Sequence, residues 1–208
     1  MTADIASGTE SVKGGRRLDA DLLTSNEIEN LLRACSNRAP TGVRNRALIA
    51  LAWRSGLRIG EVLALRPKDL DLNAGVLVVQ HGKGDKRRVV GFDAGTGALL
   101  ARWLEVRRKR GVIGRAPVFC TLGGAEIDQS YVRHLLPRLA RRAGVEKRVH
   151  AHALRHAYAT ELEREGATLS TIRDLLGHSS VSVTDRYLRR IGAGEAVAFG
   201  RAREWTEV

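Results

Sequence analysis

Apolar residues recur at helical spacing along most of the chain and switch to a two-residue alternation in one stretch only. Thr24-Ser-Asn-Glu27 reads as a capping box, with Ile28, Leu31 and Leu32 forming the stripe of a helix behind it. A second helix is expected over about 43–54, ended by Gly56 in the manner of a C-terminal glycine. Arg58 then falls in a short link before a helical turn over 60–65, which stops ahead of Pro67. Between 69 and 91 the period changes. Segments 69–72, 76–80 and 86–91 alternate around the turn formers Asn73-Ala-Gly75 and Gly82-Lys-Gly-Asp85, which predicts a three-stranded antiparallel meander. Helical spacing resumes over about 97–110, 129–143, 153–165, 169–176 and 181–189, punctuated by Gly144, Gly166 and Gly177, with a last helix over 195–205. The expected fold class is therefore mainly α with a small antiparallel three-stranded sheet (α+β), with no internal repeat.

Composition narrows the partner. A chain of 208 residues is long enough to bury a proper core. Its 35 Lys and Arg against 23 Asp and Glu leave a net charge of +12, which points to a polyanion: DNA, RNA or an acidic membrane surface. Aromatics at 4% favour a grip on duplex phosphates over stacking on single-stranded bases. The charge clusters in two runs, 102–115 and 133–148, and each reads equally well as a binding face or as solvated helix surface. Residues 1 to about 20 read as a flexible basic tail carrying Lys13, Arg16 and Arg17. Cys35 and Cys120 follow no CxxC spacing and are expected as two reduced, half-buried thiols. The longest apolar run, Ala47 to Trp53, is far short of a membrane span, and no signal-peptide pattern is visible. The expectation is a soluble, cytoplasmic protein with no membrane partner.

Chemistry concentrates in a few segments. His152-Ala-Leu-Arg155, Leu175-Leu-Gly-His178 and Tyr187 lie within 36 residues, and Ser55-Gly-Leu-Arg58 and Gly82-Lys83-Gly84 lie upstream. Attack on a phosphodiester needs its non-bridging oxygens neutralised, a nucleophile activated and a leaving oxygen protonated. The acids are scattered, with no carboxylate cluster to hold magnesium, so positive charge must come from side chains, and arginine's planar fork suits that task. Each residue also has an ordinary reading. Arg58 could be a surface arginine pairing with Glu61, and Lys83 a solvated hairpin lysine with Lys86 as its local competitor. His152 and His156, at i and i+4, could chelate zinc, but a zinc protease would need Glu where Ala153 stands. His134 and His150 supply no recognisable ligand spacing. His178 could be a helix-end imidazole. A tyrosine in an amphipathic helix is more often core than nucleophile, yet Tyr187 has Arg186, Arg189 and Arg190 beside it, a setting that lowers a phenol pKa. Tyr131 and Tyr158 lack such a neighbourhood.

As a set, in this order, these segments resemble the tyrosine recombinases, the phage-integrase family, in their catalytic domain, from about Leu23 to Arg190. The resemblance implies that fold, and it implies roles. Arg58 and Arg155 would clamp the phosphate, His152 would serve as acid/base toward the nucleophile and His178 would donate to the scissile phosphate. Lys83 would protonate the leaving 5′ oxygen, and Tyr187 would be the nucleophile that forms a 3′-phosphotyrosyl intermediate. It calls for no cofactor and no metal. It implies double-stranded DNA as partner, a homo-tetramer on synapsed sites with a monomer in isolation, and site-specific recombination or integration as activity. Domain organisation follows as a basic tail over 1–22, a catalytic domain over 23–191 and a C-terminal segment over 192–208 for oligomerisation, hinged at Gly192 and Gly194. Most family members carry a further DNA-binding domain of roughly a hundred residues ahead of the catalytic one, so the 22 residues here leave site choice and independent recombination open. Two other readings stand beside it: nicking and resealing in the manner of a type IB topoisomerase, and a DNA-binding regulator without turnover. The intact set of six residues argues against the latter.

Overall fold

The computed structural model of the chain describes residues 22–80 and 87–177. At its centre lies helix α2 (Pro40–Arg54). Every residue from Ala47 to Trp53 is buried, as a helix apolar on all sides requires. Helix α4 (Ala94–Lys109) and helix α6 (Ala151–Arg164) pack on it, and the short helix α3 (Ile59–Ala64) follows it directly. Pro40 occupies the first turn, so α2 begins three residues ahead of the 43 expected from its apolar pattern. A proline there has no helical donor to lose.

Helix α1 (Ser25–Ala34) carries the capping box its sequence announces. Thr24 Oγ1 accepts from the Glu27 N–H at 3.2 Å, and Glu27 Oε2 accepts from the Thr24 N–H at 2.8 Å. The buried side chains Ile28 and Leu31 turn α1 toward helix α5 (Gln129–Ala143), whose bounds match the expected 129–143. α5 keeps Pro137 in its interior on the exposed side, while Val132, Leu135, Leu136, Leu139 and Ala140 line the buried one. Apolar burial along this stripe outweighs the helical hydrogen bond that the proline lacks.

Strands β1 (Leu70–Asp71), β2 (Val76–Val79) and β3 (Arg88–Gly91) form an antiparallel sheet in the order β1-β2-β3, the expected meander. Its inner face buries Leu77, Val79 and Val90. The first strand is shorter than expected because Pro67–Asp69 forms a 3-10 turn. The Asp69 carboxylate is committed to that turn, accepting from the Arg66 N–H and from Gln80 Nε2, both at 2.8 Å. Asp93 caps α4 by accepting from the Thr96 N–H, which starts the helix at 94 and not at 97. Helix α7 (Leu169–Leu176) ends the described chain, closed by Gly177 in the left-handed region. The helices expected over 181–189 and 195–205 lie outside the described residues.

One expectation needs correcting. Cys35 and Cys120 are free, as expected, but fully buried and not half-buried. Burial pushes the Cys35 thiol up to about 11, so it stays protonated and unreactive. The first basic run is mostly exposed surface: Arg102, Arg108, Lys109, Arg110 and Arg115 are exposed, and Arg107 turns inward. Arg107 is buried and donates to the Ala116 carbonyl at 2.8 Å, Arg102 donates to the Asn37 carbonyl at 2.6 Å, and Arg108 and Lys109 pair with Glu105. In the second run Lys147 pairs with Glu27 at 2.9 Å, but Arg133, Arg138, Arg141, Arg142 and Arg148 are exposed. Among the described residues no helix is long and apolar enough to cross a membrane.

Gly56 and Gly144 both sit at positive φ, +59° and +66°, but only Gly56 is crowded. A Cβ on Gly56 would overlap the Tyr158 ring and come within 2.8 Å of Leu176 Cδ2, whereas one on Gly144 would meet nothing within 4 Å. Gly144→Ala should cost about 1 kcal/mol from backbone strain alone. Gly56→Ala adds overpacking and should cost about 3 kcal/mol. Urea unfolding of the two variants measures the difference, and equal losses would show that the Gly56 contact is not a constraint.

Candidate active site

The chain leaves α2 through Gly56, whose left-handed conformation turns it sharply enough to place Arg58 at the N-cap of α3. The Glu61 carboxylate reaches back to that cap. Its Oε2 accepts from the Arg58 N–H at 2.9 Å and its Oε1 from Arg58 Nη1 at 3.2 Å. The same carboxylate takes a two-point pair from Arg88 on β3, Nη1 to Oε1 at 3.0 Å and Nη2 to Oε2 at 2.7 Å. Glu61's side chain is 7% exposed, Arg88's 15% and Arg58's 36%. Burial alone would raise the Glu61 pKa, but hydrogen bonds from Arg88 and from the Arg58 N–H outweigh it and hold the group below the ordinary carboxylate value. One anion thus serves two guanidinium groups, and the more exposed of them is Arg58.

Arg155 lies on α6 and is 3% exposed. Its Nη1 donates to the Gly56 carbonyl and its Nη2 to the Leu176 carbonyl, the latter at 2.8 Å. One side chain therefore ties the turn ahead of Arg58 to the end of α7. Burial first, then the neighbouring charge of Arg58, lowers its pKa to about 10, so it remains a cation at neutral pH. Each Nη carries a second N–H beyond the one given to a carbonyl.

The first turn of α6 carries the imidazoles. His150 is its N-cap, with Nδ1 accepting from the Ala153 N–H at 3.2 Å. His152 keeps solvent access, and its ring meets that of His156 edge to face with centroids 4.4 Å apart. Partial burial, followed by the positive charges of Arg155, His150 and Arg58, lowers the His152 pKa below 6.5. The ring is consequently neutral at pH 7 and able to accept a proton.

Of the six residues expected from sequence, the structure brings Arg58, His152 and Arg155 into one electrostatic neighbourhood. Lys83, His178 and Tyr187 lie outside the described residues. In sequence Lys83 falls between β2 and β3, and His178 directly follows Gly177. Among the described residues no three His, Cys, Asp or Glu side chains are grouped to hold a metal ion.

Sequence reasoning missed Arg88, and it read Glu61 as orienting Arg58 or packing structurally, with no chemistry assigned. The available signal was the alternation of β3, which puts Arg88 on the same face as buried Val90, where a charge requires a buried partner. The reading of Tyr131 is also corrected. Arg44 donates to its hydroxyl at 2.5 Å and lies 4.8 Å from its ring centroid, while Asn45 Nδ2 donates to the same oxygen at 3.0 Å. This cation comes from α2, far away in sequence. Tyr158 lies buried beneath Gly56, and burial raises its pKa.

Comparison with known proteins agrees with this architecture. The chain is 38% identical over 167 residues to the tyrosine recombinase XerD of Ralstonia nicotianae, covering 79% of this chain and 54% of that protein. It is 36% identical over 187 residues to the tyrosine recombinase XerC of Xanthomonas axonopodis pv. citri, covering 90% of this chain and 59% of that one. The chain therefore spans somewhat over half the length of these curated relatives. Among solved structures, the XerA recombinase superposes with a TM-score of 0.74 at 28% identity, over 88% of this chain and 66% of that one. The XerH site-specific recombinase bound to its difH substrate superposes at 0.66 with 32% identity, over 77% of this chain and 47% of that one. The model of the phage integrase family matches residues 21–191. With the match running through the whole described fold and its arginine-centred site, this chain belongs to the phage integrase family.

Proposed function

We propose that this chain is the catalytic part of a site-specific DNA recombinase that cuts and rejoins strands through a tyrosine-linked intermediate. The observation that carries this reading is the convergence of Arg58, Arg155 and a neutral His152 around the Gly56 turn, with Glu61 bound to Arg88 and Arg58. Two arginines supply the charge that a five-coordinate phosphorus transition state requires. The relatives named as tyrosine recombinases, and the XerH structure bound to difH, support DNA as the substrate.

In this mechanism the Tyr187 oxygen attacks the phosphorus and gives its proton to His152. The bond from phosphorus to the 5′ oxygen breaks, and Lys83 protonates that oxygen. His178, Arg58 and Arg155 hold the non-bridging oxygens. A 5′ hydroxyl of another strand then attacks the 3′-phosphotyrosyl bond and restores the tyrosine, so no nucleotide cofactor is consumed. Residues 23–191 form the catalytic domain. Residues 192–208 join copies in a tetramer on paired sites, in a cytoplasmic reaction on double-stranded DNA.

Covalent trapping on a nicked suicide duplex carrying the recombination site tests the reading, with mass spectrometry of the attached peptide. The adduct should fall on Tyr187, and Tyr187→Phe should abolish it while leaving duplex affinity nearly unchanged. An adduct elsewhere, or one that survives in Tyr187→Phe, overturns the assignment. Relaxation of supercoils without strand exchange would instead favour topoisomerase-like activity.

Addition of EDTA should leave the single-turnover rate unchanged. A chelator-sensitive rate would sink catalysis by side-chain cations alone.

The lowered pKa of His152 sets a pH dependence. Its neutral form is the working base, so the acid limb of the cleavage rate should have its midpoint below 6.5. His152→Gln should flatten that limb. The same shift acts on stability: the unfolded chain takes up the proton first, so this contribution is intact above 6.5 and is lost as pH falls toward the lower folded value. A midpoint at or above 6.5 would contradict a neutral His152.

A further inference from the structure

Glu61 presents an unequal division of one charge. Its two oxygens face both Nη atoms of Arg88, at 3.0 and 2.7 Å, but only one Nη atom of Arg58, at 3.2 Å. A carboxylate with a 7% exposed side chain cannot turn to water for compensation, so its charge is shared between these two cations. Arg88 takes the shorter, two-point share. Arg58 is thereby left more weakly held and more exposed, with no other side-chain partner among the described residues.

Arg88 is itself tightly placed. It is the first residue of β3 and pairs with Val79 of β2 in the register of the sheet. Its guanidinium lies against the backbone of Gly177, where an added Cβ would come within 2.8 Å of both Cζ and Nε. Among the described residues its Nε is buried without a hydrogen-bond partner, so there the fork is aimed by Glu61 and by packing. Arg88 thus connects three elements that converge on the site: β3, the N-terminus of α3 and the left-handed end of α7.

We propose that Arg88 is a positioning residue for the reaction, acting by holding the Glu61 carboxylate so that Arg58 is not captured by it. With Arg88 removed, Arg58 is the one cation among the described residues still hydrogen-bonded to the buried Glu61, and its guanidinium swings into a two-point pair with it. Arg58 then has its charge neutralised and two of its donors occupied, and it no longer meets the phosphate. Arg88 touches neither the phosphate nor the nucleophile in this account; it acts through Glu61. The inference rests on the reading of Arg58 as a phosphate clamp.

The test is the single-turnover rate of covalent adduct formation by the full chain on the suicide duplex. Arg88→Met should slow it on the order of 10- to 100-fold, the usual consequence of a misplaced clamp. Arg88→Lys should recover part of the loss. The decisive variant is Arg88→Met combined with Glu61→Gln, which removes the capturing charge along with the residue that restrained it. This double variant should react faster than Arg88→Met alone. A merely structural Arg88 would instead make the double variant as slow as, or slower than, the single one, and that result overturns the proposal, as does a wild-type rate in Arg88→Met. Absence of an adduct in the wild-type chain counts against the function proposed above and is distinguishable from either result. A crystal structure of Arg88→Met reads the same point without activity. A two-point Arg58–Glu61 pair supports the proposal, and an unchanged single contact refutes it.

Discussion

The site depends on one buried guanidinium. Arg155 is 3% exposed and spends its two Nη groups on the carbonyls of Gly56 and Leu176, residues more than a hundred positions apart. Both carbonyls lie beside helix ends, where backbone acceptors have no partner within the helix. A charged donor satisfies such acceptors better than a neutral one, and their dipoles in turn compensate the guanidinium for lost water. No lysine could do this, because a point charge lacks the fork that spans two carbonyls. The residue therefore joins the turn ahead of Arg58 to the turn ahead of His178, and the two segments cannot drift independently. Gly56 and Gly177 are the backbone counterparts of that link, each at positive φ and each with a neighbour where a Cβ would stand.

Around this strut the charge balance is lopsided. Arg58, Arg88 and Arg155 converge with Glu61 as the anion that partners two of them. Burial is the first cause of the downward shifts of Arg155 and His152, and neighbouring positive charge, that of Arg58 on both, adds to it. An anion placed there, such as the phosphate of the proposed substrate, would offset that excess of positive charge.

Much of this was legible in sequence, and the failures have a common cause. Local signals worked: the Thr24–Glu27 capping box, the α5 stripe, the glycine ends at 144 and 177 and the three-strand meander all depend on residues a few positions apart. Arg58, His152 and Arg155 stood out because their segments resemble a known pattern. What could not be read was partnership across the fold. Arg88 meets Glu61 from 27 residues away, and Arg44 meets Tyr131 from 87. In both cases a cation finds its partner through packing of separate elements, and neither periodicity nor neighbouring charge announces it. The same limit blurred the basic run at 102–115, where Arg107 turned inward to a backbone carbonyl.

Buried arginines such as Arg107 change how the net charge of +12 bears on a polyanion. If every basic residue were a free surface charge, attraction to a duplex would be spread over the whole molecule. Instead, Arg107 is turned inward to a backbone carbonyl, and Arg44, Arg88 and Arg155 are held in its interior. The exposed basic side chains of both runs, 102–115 and 133–148, contribute to the field that solvent and a polyanion experience. Composition reports how much charge a chain carries. Only the fold separates the charge that binds the protein to itself from the charge left to steer a partner, and here the interior fraction is what shapes the site.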